Sequence, residues 1–183
     1  MNAMLSRRTL AATLVLGVAA CASTGDARTE GQAPALDQRL TDISRFVGQW
    51  RGAAEGEPGT GTVSRTYTPI LAGKFIEERN ESRYGSGEIH HHLAFWSYDR
   101  TRGRFVLRQF HQESLVNQFA ATAAGFVDGR LVMESESIEN IPAGFRAREI
   151  YIFNGADAFE EIFEIAEPGA EFQRYSHNRF TRG

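Results

Sequence analysis

From Gly48 onward the sequence is a succession of short segments rich in Val, Ile, Phe, Tyr and Thr, divided by turn signals. The clearest signals are Asp128-Gly129 and Asn154-Gly155, because such pairs supply the positive φ angles that two-residue hairpin turns need. No interval is long enough for a crossover helix, so we expect an antiparallel sheet throughout. The segments predict about ten strands, near residues 45–54, 60–69, 74–84, 88–98, 104–112, 115–126, 130–138, 145–153, 158–166 and 171–181.

Ten meandering strands leave two long edges, which closure into a barrel would remove. A barrel of this size can enclose a cavity. The predicted strand faces are mixed in polarity: Phe75 shares a face with Glu77 and Arg79, and Ile150 shares one with Arg148. This pattern favours a partly wet interior, and therefore an all-β, lipocalin-like antiparallel barrel. A β-sandwich built from the same strands is the alternative.

A short helix is predicted before the first strand. Leu36, Leu40, Ile43 and Val47 recur at helical spacing, so Asp37 to Arg45 can form about two turns with one apolar stripe. We therefore expect the barrel domain to cover residues 36–183.

The first residues have the pattern of an export signal. Arg7 and Arg8 precede an apolar run from Leu10 to Ala20 that is too short to span a bilayer, and small residues lead to Cys21. Val18 to Cys21 resembles a bacterial lipobox, in which the cysteine becomes lipidated after cleavage. We expect a signal peptide at 1–20, a lipidated Cys21 with a flexible tether at 21–35, and a location in the bacterial cell envelope. A plain signal peptide with an incidental cysteine is the alternative.

Composition excludes several classes of protein. A single cysteine cannot build a disulfide scaffold, and 42% hydrophobic residues with 13 Phe argue against a disordered chain. The formal net charge is −3, and removal of residues 1–20, which contain two arginines and no acid, makes it −5. Nucleic-acid binders are usually basic, so we expect no nucleic-acid partner.

The segment Phe46 to Gly52 contains Gly48-Gln49-Trp50 directly after the predicted helix. It resembles the Gly-x-Trp signature of the lipocalin and fatty-acid-binding-protein superfamily. The resemblance implies that Trp50 closes the barrel floor and that an arginine of the last strand, Arg179 or Arg182, packs over the indole. Ordinary packing of a Gly-Trp pair in a sheet is the alternative.

Two groups of this superfamily are most similar in their motifs. One is an uncharacterised family of exported bacterial proteins, which Ile70 to Ile76, Tyr98 to Arg102 and Thr181-Arg182 resemble. The other comprises nitrobindin-like haem barrels, and this resemblance implies haem as a cofactor. The implied axial ligand on the last strand is Tyr175 or His177. His90 would match the fourth-strand histidine of that group, and His111 would lie near the polar position of its fifth strand.

Histidines also form a pattern of their own. His90 and His92 share a strand face, and His111 lies on the next predicted strand, so two or three imidazoles could converge. Imidazole is a common metal ligand, but consecutive histidines also occur on solvated faces. The sequence contains no His-Glu-x-x-His motif or cysteine pair that would indicate zinc.

These observations predict an exported, lipid-anchored barrel that binds a small, largely apolar molecule. The predicted ligand-binding residues are Trp50, His90, His92, His111, Tyr175 and His177. A haem protein that handles nitric oxide or peroxynitrite and a non-catalytic envelope interaction protein are the alternatives. No catalytic residue is predicted, because no nucleophile motif is present and both Glu77-Glu78 and Glu160-Glu161 place their carboxylates on opposite strand faces.

Overall fold

The computed structural model describes residues 34–183, and most of this segment is strand. Strand number and positions agree with the sequence prediction, except that the sixth strand ends at Ala121 rather than near residue 126. The predicted signal peptide, Cys21 and nearly all of the tether lie outside the described residues. The strands are β1 Gly48–Gly56, β2 Gly61–Ile70, β3 Phe75–Tyr84, β4 Ile89–Asp99, β5 Arg104–His111, β6 Val116–Ala121, β7 Arg130–Glu139, β8 Arg146–Phe153, β9 Ala158–Ala166 and β10 Gln173–Arg182.

All ten strands form one closed antiparallel barrel. Each strand pairs with the next along the chain, and β1 closes the circle with β10, with Trp50 opposite Arg182. The barrel prediction is confirmed, and the sandwich alternative is wrong. Closure depends on a glycine: a Cβ atom on Gly52 would lie 1.8 Å from the carbonyl oxygen of Arg179 on β10. Because closure pairs every strand on both sides, the barrel has no free edge.

The predicted N-terminal helix is present as two 3-10 turns, Gln38–Leu40 and Ser44–Phe46. A 3-10 helix has three residues per turn, so Leu40, Ile43 and Phe46 lie on one side, and all three are buried. Phe46 therefore occupies the core position that the helical spacing predicted for Val47. Within residues 34–183 there is no helix with the length and apolar character of a membrane span.

Phe46 closes one end of the barrel. Its ring lies 4.9–5.4 Å, centroid to centroid, from the rings of Tyr67, Trp96, Tyr151, Phe153 and Phe159. The indole Nε1 of Trp50 donates a hydrogen bond of 2.6 Å to the Phe46 carbonyl oxygen. This aromatic cluster fills the closed end of the barrel.

Arg182 covers the Trp50 indole, with its guanidinium carbon 4.2 Å from the ring centroid. The same guanidinium donates hydrogen bonds to the carbonyl oxygens of Val47 (3.0 Å) and Arg45 (3.1 Å). Arg179, the other arginine implied by the resemblance, pairs instead with Glu55 at 3.0 Å. Of the two candidates, Arg182 is therefore the one that lies over the indole.

The two turns with the strongest sequence signals differ. Asp128 and Gly129 both have positive φ (50° and 76°) and form the predicted two-residue turn. At Asn154-Gly155 only the glycine has a positive φ, 83°, and the loop between β8 and β9 spans residues 154–157. The two-residue prediction is wrong there, because the Asn154 amide N–H bonds to the Ala158 carbonyl oxygen and closes a longer loop.

The barrel interior is mixed in polarity, but not through the residues that the sequence singled out. On β3 the inward residues Ile76, Glu78 and Asn80 are buried. Glu77 and Arg79 lie on the outer face, where their side chains pair at 2.6 Å. The polar groups of the interior therefore lie on the face of β3 opposite to the one that the sequence singled out.

Candidate functional site

The barrel is hollow at the end away from Phe46 and Trp50, where it encloses a cavity of about 330 Å³. Residues from the loops β1–β2, β3–β4, β5–β6 and β7–β8 surround its mouth. The volume lies near the lower end of the range for small-molecule pockets, about 300–1,000 Å³. Its apolar lining consists of Leu115, Ile138, Ile141, Ala147, Phe163 and Ile165.

A buried arginine lies at the inner end of this cavity. Arg65, only 3% exposed, makes a bidentate ion pair with Glu161 at 2.8 and 2.9 Å. Its Nε lies 3.3 Å from Glu78 Oε1 and donates to Asn80 Oδ1 at 3.1 Å. One guanidinium therefore joins β2 to β3 and β9, and it compensates two carboxylates that would be costly to bury alone.

Glu78 is ionised despite complete burial. Burial raises the pKa of a carboxyl group, but the Arg65 charge and hydrogen bonds from His92 and Trp96 outweigh it and lower the pKa of Glu78 to about 2. Its two oxygens accept from His92 Nε2 at 2.8 Å and from Trp96 Nε1 at 2.7 Å. Glu78 thus links the arginine to the histidines on β4.

Glu149 is a second kind of buried carboxyl group. Burial, followed by the negative charges of Glu161 and Glu78, raises the pKa of Glu149 to about 8. Its Oε1 accepts a 2.7 Å hydrogen bond from Gln109 Nε2, and its Oε2 bonds to the Tyr151 hydroxyl. At neutral pH the folded protein therefore holds Glu149 mainly in its protonated form.

Three of the predicted histidines come together in the cavity wall. His92 on β4 lies directly opposite His111 on β5, and His90 is two residues away on the same face of β4. The ring centroids are separated by 5.2 Å (His92–His111), 5.4 Å (His90–His111) and 6.2 Å (His90–His92). We call these three residues the histidine cluster.

Carboxylates orient two members of the histidine cluster. His90 Nδ1 lies 2.9 Å from Glu113 Oε1 at the cavity mouth, and His92 Nε2 lies 2.8 Å from Glu78 Oε1 at its inner end. Each contact requires a proton on that nitrogen, because an ionised carboxylate can only accept. In the tautomer with one proton on the ring, the other nitrogen, His90 Nε2 or His92 Nδ1, carries a lone pair.

His111 joins the cluster from the neighbouring strand. Its Nδ1 lies 3.3 Å from His90 Nε2, and its Nε2 lies 3.1 Å from Asn117 Nδ2. Burial, and then the neighbouring His92 and His90, lower the pKa of His111 to about 3. The ring is therefore neutral at physiological pH and can act as an acceptor or a ligand.

Two other predicted ligand-binding residues lie outside the cavity. Trp50 belongs to the closed end and does not line the cavity. His177 does not line it either: its Nε2 lies 2.7 Å from Glu160 Oε2, and its Nδ1 lies 3.1 Å from an Arg179 nitrogen. The structure therefore does not bring Trp50 and His177 together with the histidine cluster.

Tyr175 lies at the edge of the cavity and is 38% exposed. The pairing of β10 with β9 shifts by one residue between Arg174 and Ser176, so Tyr175 is a bulge residue. This bulge breaks the strand alternation that would otherwise put Tyr175 and His177 on one face.

The residues implied as haem ligands do not fit that role. His177 lies outside the cavity and is held by Glu160. Burial, followed by the charge of Glu88, raises the pKa of Tyr175, which opposes the phenolate form that binds iron. The structure therefore gives no support to haem binding through either residue.

Sequence reasoning missed the buried charges Arg65, Glu78, Glu149 and Glu161. It correctly placed Glu77 and Glu78 on opposite faces, but it did not identify which carboxylate faces inward. The sequence of β2 contained a usable signal. Arg65 lies two residues from both Val63 and Tyr67, so it shares their inward face. The convergence of β2, β3 and β9 on one guanidinium, however, follows only from barrel closure.

No protein-family model and no curated protein matches this chain. Among solved structures, the crystal structure of Rv2717c from M. tuberculosis is similar with a TM-score of 0.66 and 16% sequence identity, covering 81% of this chain and 99% of that chain. A redesigned beta barrel, b11L5F_LGL, has a TM-score of 0.44 and 8% identity over 78% of this chain and 95% of its own. The similarity to Rv2717c supports the fold alone: a closed ten-stranded antiparallel barrel.

Proposed function

We propose that this protein binds a small, largely apolar molecule, with a neutral or cationic polar end, in the cavity of the barrel. The observation that carries the proposal is an enclosed space of about 330 Å³ that combines apolar walls with an unsatisfied buried acceptor, Asn178 Oδ1. This combination is typical of pockets in which burial supplies affinity and a few polar groups fix the orientation of the ligand.

Asn178 supports a hydrogen-bond donor on the ligand. Its Nδ2 donates to Glu161 Oε2 at 3.0 Å, whereas its Oδ1 is buried and has no hydrogen-bond partner among the described residues. An unsatisfied buried acceptor costs about 1–3 kcal/mol. Rotation of the amide that turns Oδ1 towards the cavity would let a hydroxyl or amine of the ligand recover this free energy on binding.

The charges around the cavity favour a polar end that is not anionic. Glu88, Glu113 and Glu161 line the cavity together with Glu149, which is mainly protonated at neutral pH. Among the described residues of the lining, Arg65 is the one arginine or lysine, and it is already paired with Glu161 at 2.8 Å. A carboxylate or phosphate on the ligand would therefore meet acidic side chains without a free cation.

A fluorescence titration tests the ligand proposal. The full chain carrying Cys21→Ala, which removes the predicted lipid, is mixed with the neutral apolar dye N-phenylnaphthylamine, and the dye is then displaced with decanol, decylamine and decanoate. We expect saturable dye uptake and displacement by decanol and decylamine at lower concentrations than by decanoate. Stronger displacement by decanoate would contradict the charge argument.

Two variants of β10 locate the binding site. Ser176 lines the cavity, so Ser176→Trp should fill part of it and weaken dye binding by about tenfold or more. Arg174→Trp adds the same side chain at an exposed position outside the cavity lining and should leave binding unchanged. Equal binding by both variants, with unchanged melting temperatures, would show that the dye does not use this cavity.

We also propose that the barrel is exported and held at a bacterial membrane by a lipid on Cys21. The support is the sequence alone: the apolar run from Leu10 to Ala20 and the small residues before the cysteine. Metabolic labelling with an alkyne fatty acid tests this proposal. We expect label on the wild-type protein and none on Cys21→Ser; label retained in that variant would refute the assignment.

A further inference from the structure

Three ring nitrogens converge in the histidine cluster, and the hydrogen bonds among the side chains do not by themselves require this convergence. His90, His92 and His111 each offer a ring nitrogen, and the three atoms lie within 4.8 Å of one another. We propose that these three residues form a binding site for a divalent transition-metal ion, with Zn²⁺ as the best match. The site adjoins the proposed ligand cavity, but the inference does not depend on ligand binding.

The backbone presets the arrangement of the cluster. His92 and His111 are direct partners across β4 and β5, and His90 follows His92 by two residues on the same face. Paired strands hold such side chains in fixed register. Nitrogen ligands around a tetrahedral Zn²⁺ are about 3.3 Å apart, given bonds of about 2.0–2.1 Å. The three ring nitrogens, now within 4.8 Å of one another, would have to move closer together on binding.

Carboxylates provide a second reason to assign a metal. Glu113 accepts from His90 Nδ1 at 2.9 Å, and Glu78 accepts from His92 Nε2 at 2.8 Å. Metal-binding histidines commonly donate their other N–H to a carboxylate, which fixes the ring and increases its basicity. Both contacts leave the opposite nitrogen, His90 Nε2 or His92 Nδ1, available for the ion.

His111 supplies the third ligand through Nδ1, which lies 3.3 Å from His90 Nε2. In the metal-free cluster this nitrogen carries the proton of that hydrogen bond. On metal binding the proton moves to Nε2, and rotation of the Asn117 amide, now 3.1 Å from Nε2, places its oxygen there as the acceptor. This rotation breaks the 3.3 Å hydrogen bond that Asn117 Nδ2 donates to Gln109 Oε1.

The ligand set and its surroundings favour a borderline-soft cation. Three imidazole nitrogens suit zinc, nickel and copper better than magnesium or calcium, which prefer oxygen ligands. The carboxyl groups of Glu78 and Glu113, 2.8 and 2.9 Å from the ligand rings, lie where they can compensate part of the added positive charge. Because all three histidines line the cavity, the fourth coordination position faces the space available to a ligand.

Metal titration tests the inference. The full chain carrying Cys21→Ala is produced without a polyhistidine tag, stripped with EDTA and titrated with Co²⁺, whose visible absorption reports tetrahedral coordination, and then with Zn²⁺. We expect one Co²⁺ per chain and its displacement by Zn²⁺. Absence of binding at Co²⁺ concentrations well above that of the protein would overturn the proposal.

The chain contains its own controls. His111→Gln and His90→Gln should each weaken metal binding by about 100-fold or more, and Glu113→Gln by about 10- to 100-fold. His91→Gln and His177→Gln alter the two histidines outside the cluster and should leave it unchanged within a factor of about two. Equal losses in the cluster and control variants would refute the site.

Two further measurements allow a negative result of the metal titration to be interpreted. If His111→Gln fails to fold by circular dichroism, His90→Gln at the partly exposed edge of the cluster gives the decisive comparison. Dye uptake by the stripped protein tests the cavity separately. Failure of the metal proposal and failure of the ligand proposal are therefore distinguishable.

Discussion

Replacement of Arg65 by methionine should strongly destabilise the barrel. Arg65 is the positive group between two buried carboxylates: it pairs with Glu161 at 2.8 Å and lies 3.3 Å from Glu78, and both partners are almost completely buried. Methionine is of similar length and fills most of the space, so packing changes little. The variant removes the cation from both carboxylates and the hydrogen bond from Arg65 Nε to Asn80 Oδ1. Glu78 keeps its hydrogen bonds from His92 and Trp96, and Glu161 keeps the one from Asn178.

The expected magnitude follows from this burial. Removal of one partner from a buried ion pair costs about 3–5 kcal/mol, because the remaining charge stays desolvated. The whole domain is expected to be stable by only about 5–15 kcal/mol. With a urea m-value of about 2 kcal/mol/M, the unfolding midpoint of Arg65→Met should fall by about 1.5–2.5 M.

Urea unfolding followed by tryptophan fluorescence measures this change, since Trp96 donates directly to Glu78. The pH dependence identifies its cause. In the variant, burial without the Arg65 charge raises the pKa of Glu78 in the folded state above its value in the unfolded chain. The stability that the variant loses should therefore be smaller at pH 5 than at pH 8.

Arg79→Met is the matched control for this prediction. Arg79 lies on the outer face of β3, is 67% exposed and, among residues 34–183, forms its ion pair with Glu77. Solvent screens such pairs, so the unfolding midpoint should not change measurably. Equal effects of Arg65→Met and Arg79→Met, or a loss at Arg65 that does not grow with pH, would refute the reasoning.

Three further changes test other parts of the structure. The pKa of Glu149 is about 8 in the folded state, against an ordinary value of 4.5. The folded state therefore loses stability as the pH rises from about 4.5 to about 8, by at most about 1.4 kcal/mol per pH unit. Urea unfolding across this range should show a shallower decline for Glu149→Gln, and an unchanged slope would contradict the assignment. Arg182→Leu removes the cation that stacks on Trp50 and should lower the free energy of unfolding by about 2 kcal/mol in the same assay; no loss would show that the stacking is not stabilising. Gly52→Ala should cost more than about 3 kcal/mol in a thermal melt, because its Cβ would lie 1.8 Å from a backbone oxygen, whereas Gly85→Ala, with 3.6 Å of space, should cost under about 1 kcal/mol. Similar melting temperatures for the two alanine variants would contradict the close approach of β1 and β10.

Local signals were sufficient to predict the strands. The alternation of β-rich segments with turn residues predicted all ten, and Asp128-Gly129 predicted a turn that the structure contains. Such signals act over a few residues, so a sequence carries them directly. Two local predictions were wrong. The hydrogen bond from the Asn154 amide to the Ala158 carbonyl closes a loop longer than two residues. The three-residue period of the 3-10 turns brings Phe46, instead of Val47, into the core.

The candidate site was only partly predictable. The spacing of His90 and His92 indicated a shared face, and the neighbouring strand suggested His111, which the structure places beside them. His177 could not be excluded, because the bulge at Tyr175 changes which residues of β10 face inward. Bulges depend on how two strands fit together, and a single strand does not encode that fit.

By itself, the sequence determined the class of the fold and the order of its strands, because hydrophobic patterning and turn chemistry are local properties. It also determined which side chains are able to bind a ligand or a metal ion and which can gain or lose a proton. Tertiary structure decided which of them meet: closure of β1 on β10 directs Arg65 towards Glu161, which is 96 residues away along the chain. It also decided which end is open, because the aromatic residues of distant strands fill one end and leave the other to the cavity.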